Sequence, residues 1–196
     1  MTVWSSIWFG ITYFFTLFVT WLGIFVSPFH NPAMFWILIP IYLNWIFTDF
    51  FQERKGTSLG NAITNGAVVL WVSIDWTRTL IGSLHTFSWS IIVKFLLILL
   101  VFMYGLMITI EGIRGRDFVV RFGRCRETSY IMLMFTPVIY GVMEVTWETM
   151  MAIVLFFPLF YYSMEWIDVK LLPQFGIAKF EEEEKKIREE QGSKSR

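Results

Sequence analysis

Cysteine is almost missing from this chain. Cys125 stands alone, so neither an intrachain disulfide nor a cysteine-based metal site can form. Histidine is nearly as scarce, with two residues, so haem, zinc and disulfide-coupled quinone chemistry have little to draw on and no cofactor is expected. Glycine-rich phosphate loops are lacking, as are HExxH and GxSxG, and no signature of membrane lipid phosphatases or CDP-alcohol transferases is present. Internal repeats are lacking too, which removes the usual sequence mark of an inverted-repeat transporter. Charge is also lacking over a long stretch: the first charged side chain is Asp49.

What fills the space is apolar. Of 196 residues, 56% are hydrophobic and 16% charged, and there are 21 Phe and 10 Trp. A soluble domain of this size cannot bury so many aromatics. The apolar runs are continuous rather than alternating, which excludes a transmembrane barrel. The expected fold is therefore all-α: a polytopic integral membrane helix bundle over residues 1–172. A polar cytoplasmic tail, 173–196, follows. In that tail "FEEEEKKIREEQ" sets Glu181–Lys185, Glu182–Lys186 and Glu184–Arg188 at i,i+4, a pattern suited to a solvated helix.

Segment one, Val3 to Val26, is uncharged and reads as a retained helix, because it has no basic leader and no small-x-small cleavage site. "SPFHNP" is a turn. Segment two, Ala33 to Phe51, carries Pro40, which should kink it. Segment three, Leu59 to Gly82, opens on small and polar residues. Gly60, Asn61, Thr64 and Asn65 fall at close helical spacing, which suits helix packing at the centre of a bundle. Segment four runs from Ser88 to Ile110. The segment "EGIRGRDFVVRFGRCRE" then interleaves Arg114, Arg116, Arg121, Arg124 and Arg126 with apolar residues. That is the pattern of a stretch lying among anionic lipid headgroups, not of a nucleic-acid site.

Charge segregation orients the chain. The loop "ERK" and the Arg-rich segment carry seven basic residues, while the turns "SPFHNP" and "GSLHTFS" carry none. The positive-inside rule makes both charged loops cytoplasmic, and the amino terminus with them. The last apolar run, Tyr130 to Tyr162, has 33 residues. As one helix it would be about 50 Å long, against a hydrocarbon core of about 30 Å. It therefore divides into a short or re-entrant segment, from Thr128 to about Gly141 with a bend at Pro137, and a full span from Val142 to about Met164, bent at Pro158. The expectation is about six membrane segments with both termini inside. The alternative is five spans with the carboxyl terminus outside.

In this topology the intramembrane ionisable residues Asp75, Arg78, Lys94, Glu144 and Glu148 all fall in the external half, with His85 in the external turn. Asp75 and Arg78 can pair along one helix. Lys94 can snorkel to the headgroups. Glu144 and Glu148, placed in the first two turns of the last helix, share a face and disfavour joint ionisation. Their remedies are a shared proton, a cation held by carboxylate oxygens, or Arg78 or Lys94 from neighbouring helices. Three functions follow: a transporter- or channel-like protein using this cluster, a non-catalytic membrane subunit or scaffold, and a lipid-modifying enzyme with a glutamate base. The first is preferred and catalysis is not expected. The partners expected are membrane lipids and a homo-oligomeric or other membrane-protein neighbour, in the cell membrane of a prokaryote.

Overall fold

The structure is a computed structural model and describes residues 3–48, 57–83 and 88–171, with side chains to Ile167. The loop "ERK", Asp49, His85 and the 173–196 tail lie outside the described residues. Contacts divide the chain into two units, Met1–Leu159 and Phe160–Arg196. Among the described residues there is no strand.

Helix α1, Val3–Val26, coincides with the uncharged first segment. Two 3-10 turns follow, Ser27–His30 and Pro32–Met34, each with proline in its first turn, where no backbone N–H is needed. The Asn31 side chain accepts from the Ala33 N–H at 3.2 Å and starts the second turn. Helix α2 is Phe35–Phe47, with Pro40 inside it. It begins later than residue 33 because the segment around Pro32 is spent on the turn. Helix α3, Leu59–Gly82, is capped by the Ser58 side chain, which accepts from the Asn61 N–H at 3.1 Å. Helix α4, Trp89–Ile113, runs back along α3. The single turn α5, Val119–Phe122, leads into α6, Cys125–Ile139. Then come α7, Trp147–Leu155, and α8, Phe157–Leu171. Helix α8 continues into the second unit and is its described part.

Three stretches are long and apolar enough to cross a membrane: Trp4–His30, Trp89–Ile113 and Trp147–Ile167. Their outer faces are apolar. In α1 alone Trp4, Trp8, Phe9, Phe15 and Leu22 are exposed, a surface that suits lipid rather than water. Helix α3 has the length of a span, but its polar first turns together with Asp75 and Arg78 keep it out of that set.

The enclosed helix is α6 rather than α3. Eleven of its 15 residues are buried, and α1, α2 and α3 pack around it. It can be enclosed because its polar side chains are satisfied locally: the Thr128 and Thr136 hydroxyls donate to the carbonyls of Arg124 and Met132. Helix α3 instead buries one stripe, including Ala62, Gly66, Val69, Ser73, Trp76 and Leu80, and turns Trp71, Ile74 and Ile81 outward. This stripe meets α4 at very close range. A Cβ built on Gly105 would lie 3.1 Å from the Gly66 carbonyl oxygen, and one on Gly66 would lie 2.7 Å from Thr109 Oγ1.

The 33-residue apolar run is broken, as its length demands. Helix α6 stops in a Schellman motif. Gly141 takes φ +75°, its N–H reaches the Val138 carbonyl, and the Val142 N–H reaches that of Pro137. A second break, at Phe156, comes ahead of Pro158 rather than as a bend at it. Proline has no N–H to donate, and its ring collides with the carbonyl four residues back, so the helix ends first and restarts with Pro158 in its opening turn. The Tyr130 hydroxyl donates to the Ile153 carbonyl, 2.6 Å away, near the end of α7. Phe156 itself is buried against Phe14, Phe18 and Trp21 of α1, at ring separations of 5.3, 5.4 and 5.6 Å.

Candidate functional site

The end of α6 is where charged side chains gather. Asp75, 7% exposed, sits on α3 facing it. Both carboxylate oxygens are engaged: Arg78 Nη2 donates to Oδ1 at 2.6 Å, and the Tyr140 hydroxyl donates to Oδ2 at 2.7 Å. Arg78 lies one turn along the same helix, with its side chain 70% exposed. The guanidinium half of this ion pair is therefore exposed, and the carboxylate is the buried half. Burying a carboxylate is tolerable only when its lone pairs are met, and here two donors meet them.

Lys94 approaches the same helix end from α4. Its Nζ donates to the Ile139 carbonyl at 3.4 Å, and a Cβ on Gly141 would lie 3.6 Å from that nitrogen. The last carbonyls of a helix have no partner within it and carry the negative end of its dipole, so an ammonium is favoured there. One turn deeper, Trp76 Nε1 donates to Thr136 Oγ1 at 3.1 Å and ties α3 to α6 again.

The five ionisable residues thus divide. Asp75, Arg78 and Lys94 converge on Ile139–Gly141. Glu144 and Glu148 do not join them. Glu144 lies in the loop before α7 rather than in a helical turn, because Thr146 is the N-cap, its side chain accepting from the Thr149 N–H. Glu148 occupies the first turn, where a carboxylate complements the helix dipole. Both are exposed, and among the described residues neither carboxylate makes an ion pair or a side-chain hydrogen bond. No group of three or more His, Cys, Asp or Glu placed to hold a metal ion occurs among the described residues. Tyr140 was not singled out from sequence. Its only signal there is its position against the helix-stopping Gly141.

At the opposite end of α6 lies a neutral network. Asn65, 1% exposed, donates through Nδ2 to the Gly123 carbonyl at 2.8 Å, and its Oδ1 accepts from Asn44 Nδ2 at 3.3 Å. Asn44 Nδ2 also lies 3.6 Å from Cys125 Sγ. Of the other small and polar residues at the start of α3, Asn61 is half-buried, while Gly60 and Thr64 are exposed. The Thr64 hydroxyl donates to the Gly60 carbonyl within the helix. Ala62 and Gly66 make the close approaches to α5 and α4.

The Arg-rich segment forms the elbow between α4 and α6. Arg114 pairs with Glu111, whose other oxygen lies 3.7 Å from Arg116 Nε. Arg114, Arg116 and Arg121 are exposed, and Arg124 and Arg126 are half-buried. Compared with protein-family models, curated proteins and solved structures, the chain matches none of them.

Proposed function

We propose that this chain is a multi-pass membrane protein acting as a non-catalytic scaffold or subunit. The observation that carries this reading is the double engagement of Asp75. Of the cluster that sequence marks as a binding site, Asp75, held by Arg78, and Lys94 are spent on fastening α3 and α4 to the end of α6. Asn65, Trp76 and Tyr130 are used in the same way. What remains for interaction is surface: apolar helix faces, a basic elbow and the exposed carboxylates of Glu144 and Glu148.

The reading includes six membrane segments with both termini cytoplasmic. Helix α6, with 15 residues, is about 22 Å long. That is shorter than a hydrocarbon core of about 30 Å, so it serves as the short or re-entrant segment. The location proposed is the cell membrane of a prokaryote. The test is gentle extraction followed by native gels and light scattering. A homo-oligomer or a stoichiometric membrane-protein partner is expected. A lone monomer under every mild detergent defeats the proposal.

Transport is the second reading, favoured by the two exposed carboxylates on the loop and helix start that follow Tyr140. Cation or proton flux into proteoliposomes should then fall in Glu148→Gln. Equal flux in wild type and variant removes it.

A further inference from the structure

We infer that the elbow from Ile113 to Phe122 is a built binding surface for anionic lipid headgroups. The inference rests on the membrane reading and is independent of the scaffold role.

Depth is the first argument. Helix α4 is a candidate span ending at Ile113, and Arg114 follows at once. An arginine directly past the apolar end of a span lies at headgroup level. Shape is the second. Ile113, Phe118 and Phe122 are exposed large apolar side chains, and Arg114, Arg116 and Arg121 are exposed among them. Apolar side chains enter the acyl boundary while guanidiniums stay in the phosphate layer, where their planar donor forks match phosphate oxygens. Charge is the third. From Ile113 to Phe122 three arginines stand against one acid, Asp117, and from Glu111 to Glu127 five stand against three, so the charge is net positive on either count.

Rigidity is the fourth argument, and it separates this elbow from a loose basic loop. Val119 is fully buried with Ala62 and Ile108. Gly123 is pressed on Ala62 so closely that a Cβ would lie 2.7 Å from the Ala62 Cβ. The Asn65 side chain holds the Gly123 carbonyl, and the Tyr104 hydroxyl donates to the Phe122 carbonyl. The arginines are thus presented from a fixed backbone, which lowers the ordering cost of binding.

The experiment uses the full chain in nanodiscs of phosphatidylcholine with a minority of phosphatidylglycerol, with retained lipid read by native mass spectrometry. Phosphatidylglycerol should be enriched around wild type, and the enrichment should weaken in high salt. Arg121→Gln, which touches no ion pair among the described residues, should reduce it roughly fivefold, the contribution of one basic side chain near an anionic surface. The combined Arg114→Gln, Arg116→Gln and Arg121→Gln variant should abolish it, and Arg121→Lys, which keeps the charge but loses the planar fork, should fall between wild type and Arg121→Gln. No enrichment in wild type, or enrichment unchanged in Arg121→Gln, overturns the inference while leaving membrane insertion intact. A chain that washes out of membranes in carbonate overturns the membrane reading as well.

Discussion

The Tyr140 hydroxyl donates across 2.7 Å to Asp75 Oδ2, joining the C-cap residue of α6 to a buried carboxylate on α3. The bond spans 65 positions of sequence. It converts a charged side chain in an apolar helix into a fastening for the core helix.

That fastening sets the first prediction. Tyr140→Phe removes one donor and leaves Oδ2 buried and unmet, at a cost of about 1–3 kcal/mol. Asp75→Asn keeps the shape but loses the charge-assisted bonds. Thermal unfolding in detergent should give a double-mutant coupling of roughly 0.5–3 kcal/mol between the two sites. Additive losses would show that the bond contributes nothing.

Lys94 is expected to act on α6 through its carbonyls. Lys94→Met removes a cation from a helix C-terminus and should cost about 0.3–2 kcal/mol. Hydrogen exchange should then rise at the end of α6 and in the Gly141–Thr146 loop. Exchange unchanged there would assign Lys94 to the lipid surface alone.

The α3–α4 contact gives a paired test. Gly105→Leu drives a side chain against the Gly66 backbone and Val69, and overpacking of this kind costs at least about 1–3 kcal/mol. Gly60 has only Ser58 Oγ near its open position, so Gly60→Ala should stay within about 0.5 kcal/mol of wild type. The order of the two Tm values, not their size, decides whether the stripe is placed correctly.

Glu144 and Glu148 separate the two functional readings. Both are exposed, so Glu144→Gln should change stability by less than about 0.5 kcal/mol, and Glu148→Gln, which loses a helix-dipole interaction, by no more than about 1 kcal/mol. A large loss in either Tm would mean that a carboxylate has a structural partner. Normal stability with lost flux would establish transport.

Class and segmentation were legible from residue order, because they depend on local quantities. Apolar length and flanking turns located α1 and α3 to the residue, and the mismatch between 33 apolar residues and bilayer thickness required the break at Gly141. Proline chemistry points to a bend at Pro158, whereas the helix breaks at Phe156, ahead of the proline ring. Rotation about a helix axis was not legible. The buried stripe of α3 begins at Ala62 and Gly66, two residues on from Gly60 and Thr64. Two residues turn the face by about 200° on an α-helix, so small residues mark close packing without saying which of several takes part. The Asp75–Arg78 pair follows from i,i+3 spacing, but tertiary structure alone decided which groups of other helices meet it. A carboxylate's partner depends on the end point of another helix. Asp75 therefore found Tyr140, whereas Glu144 and Glu148, nearer to Tyr140 in sequence, stayed outside.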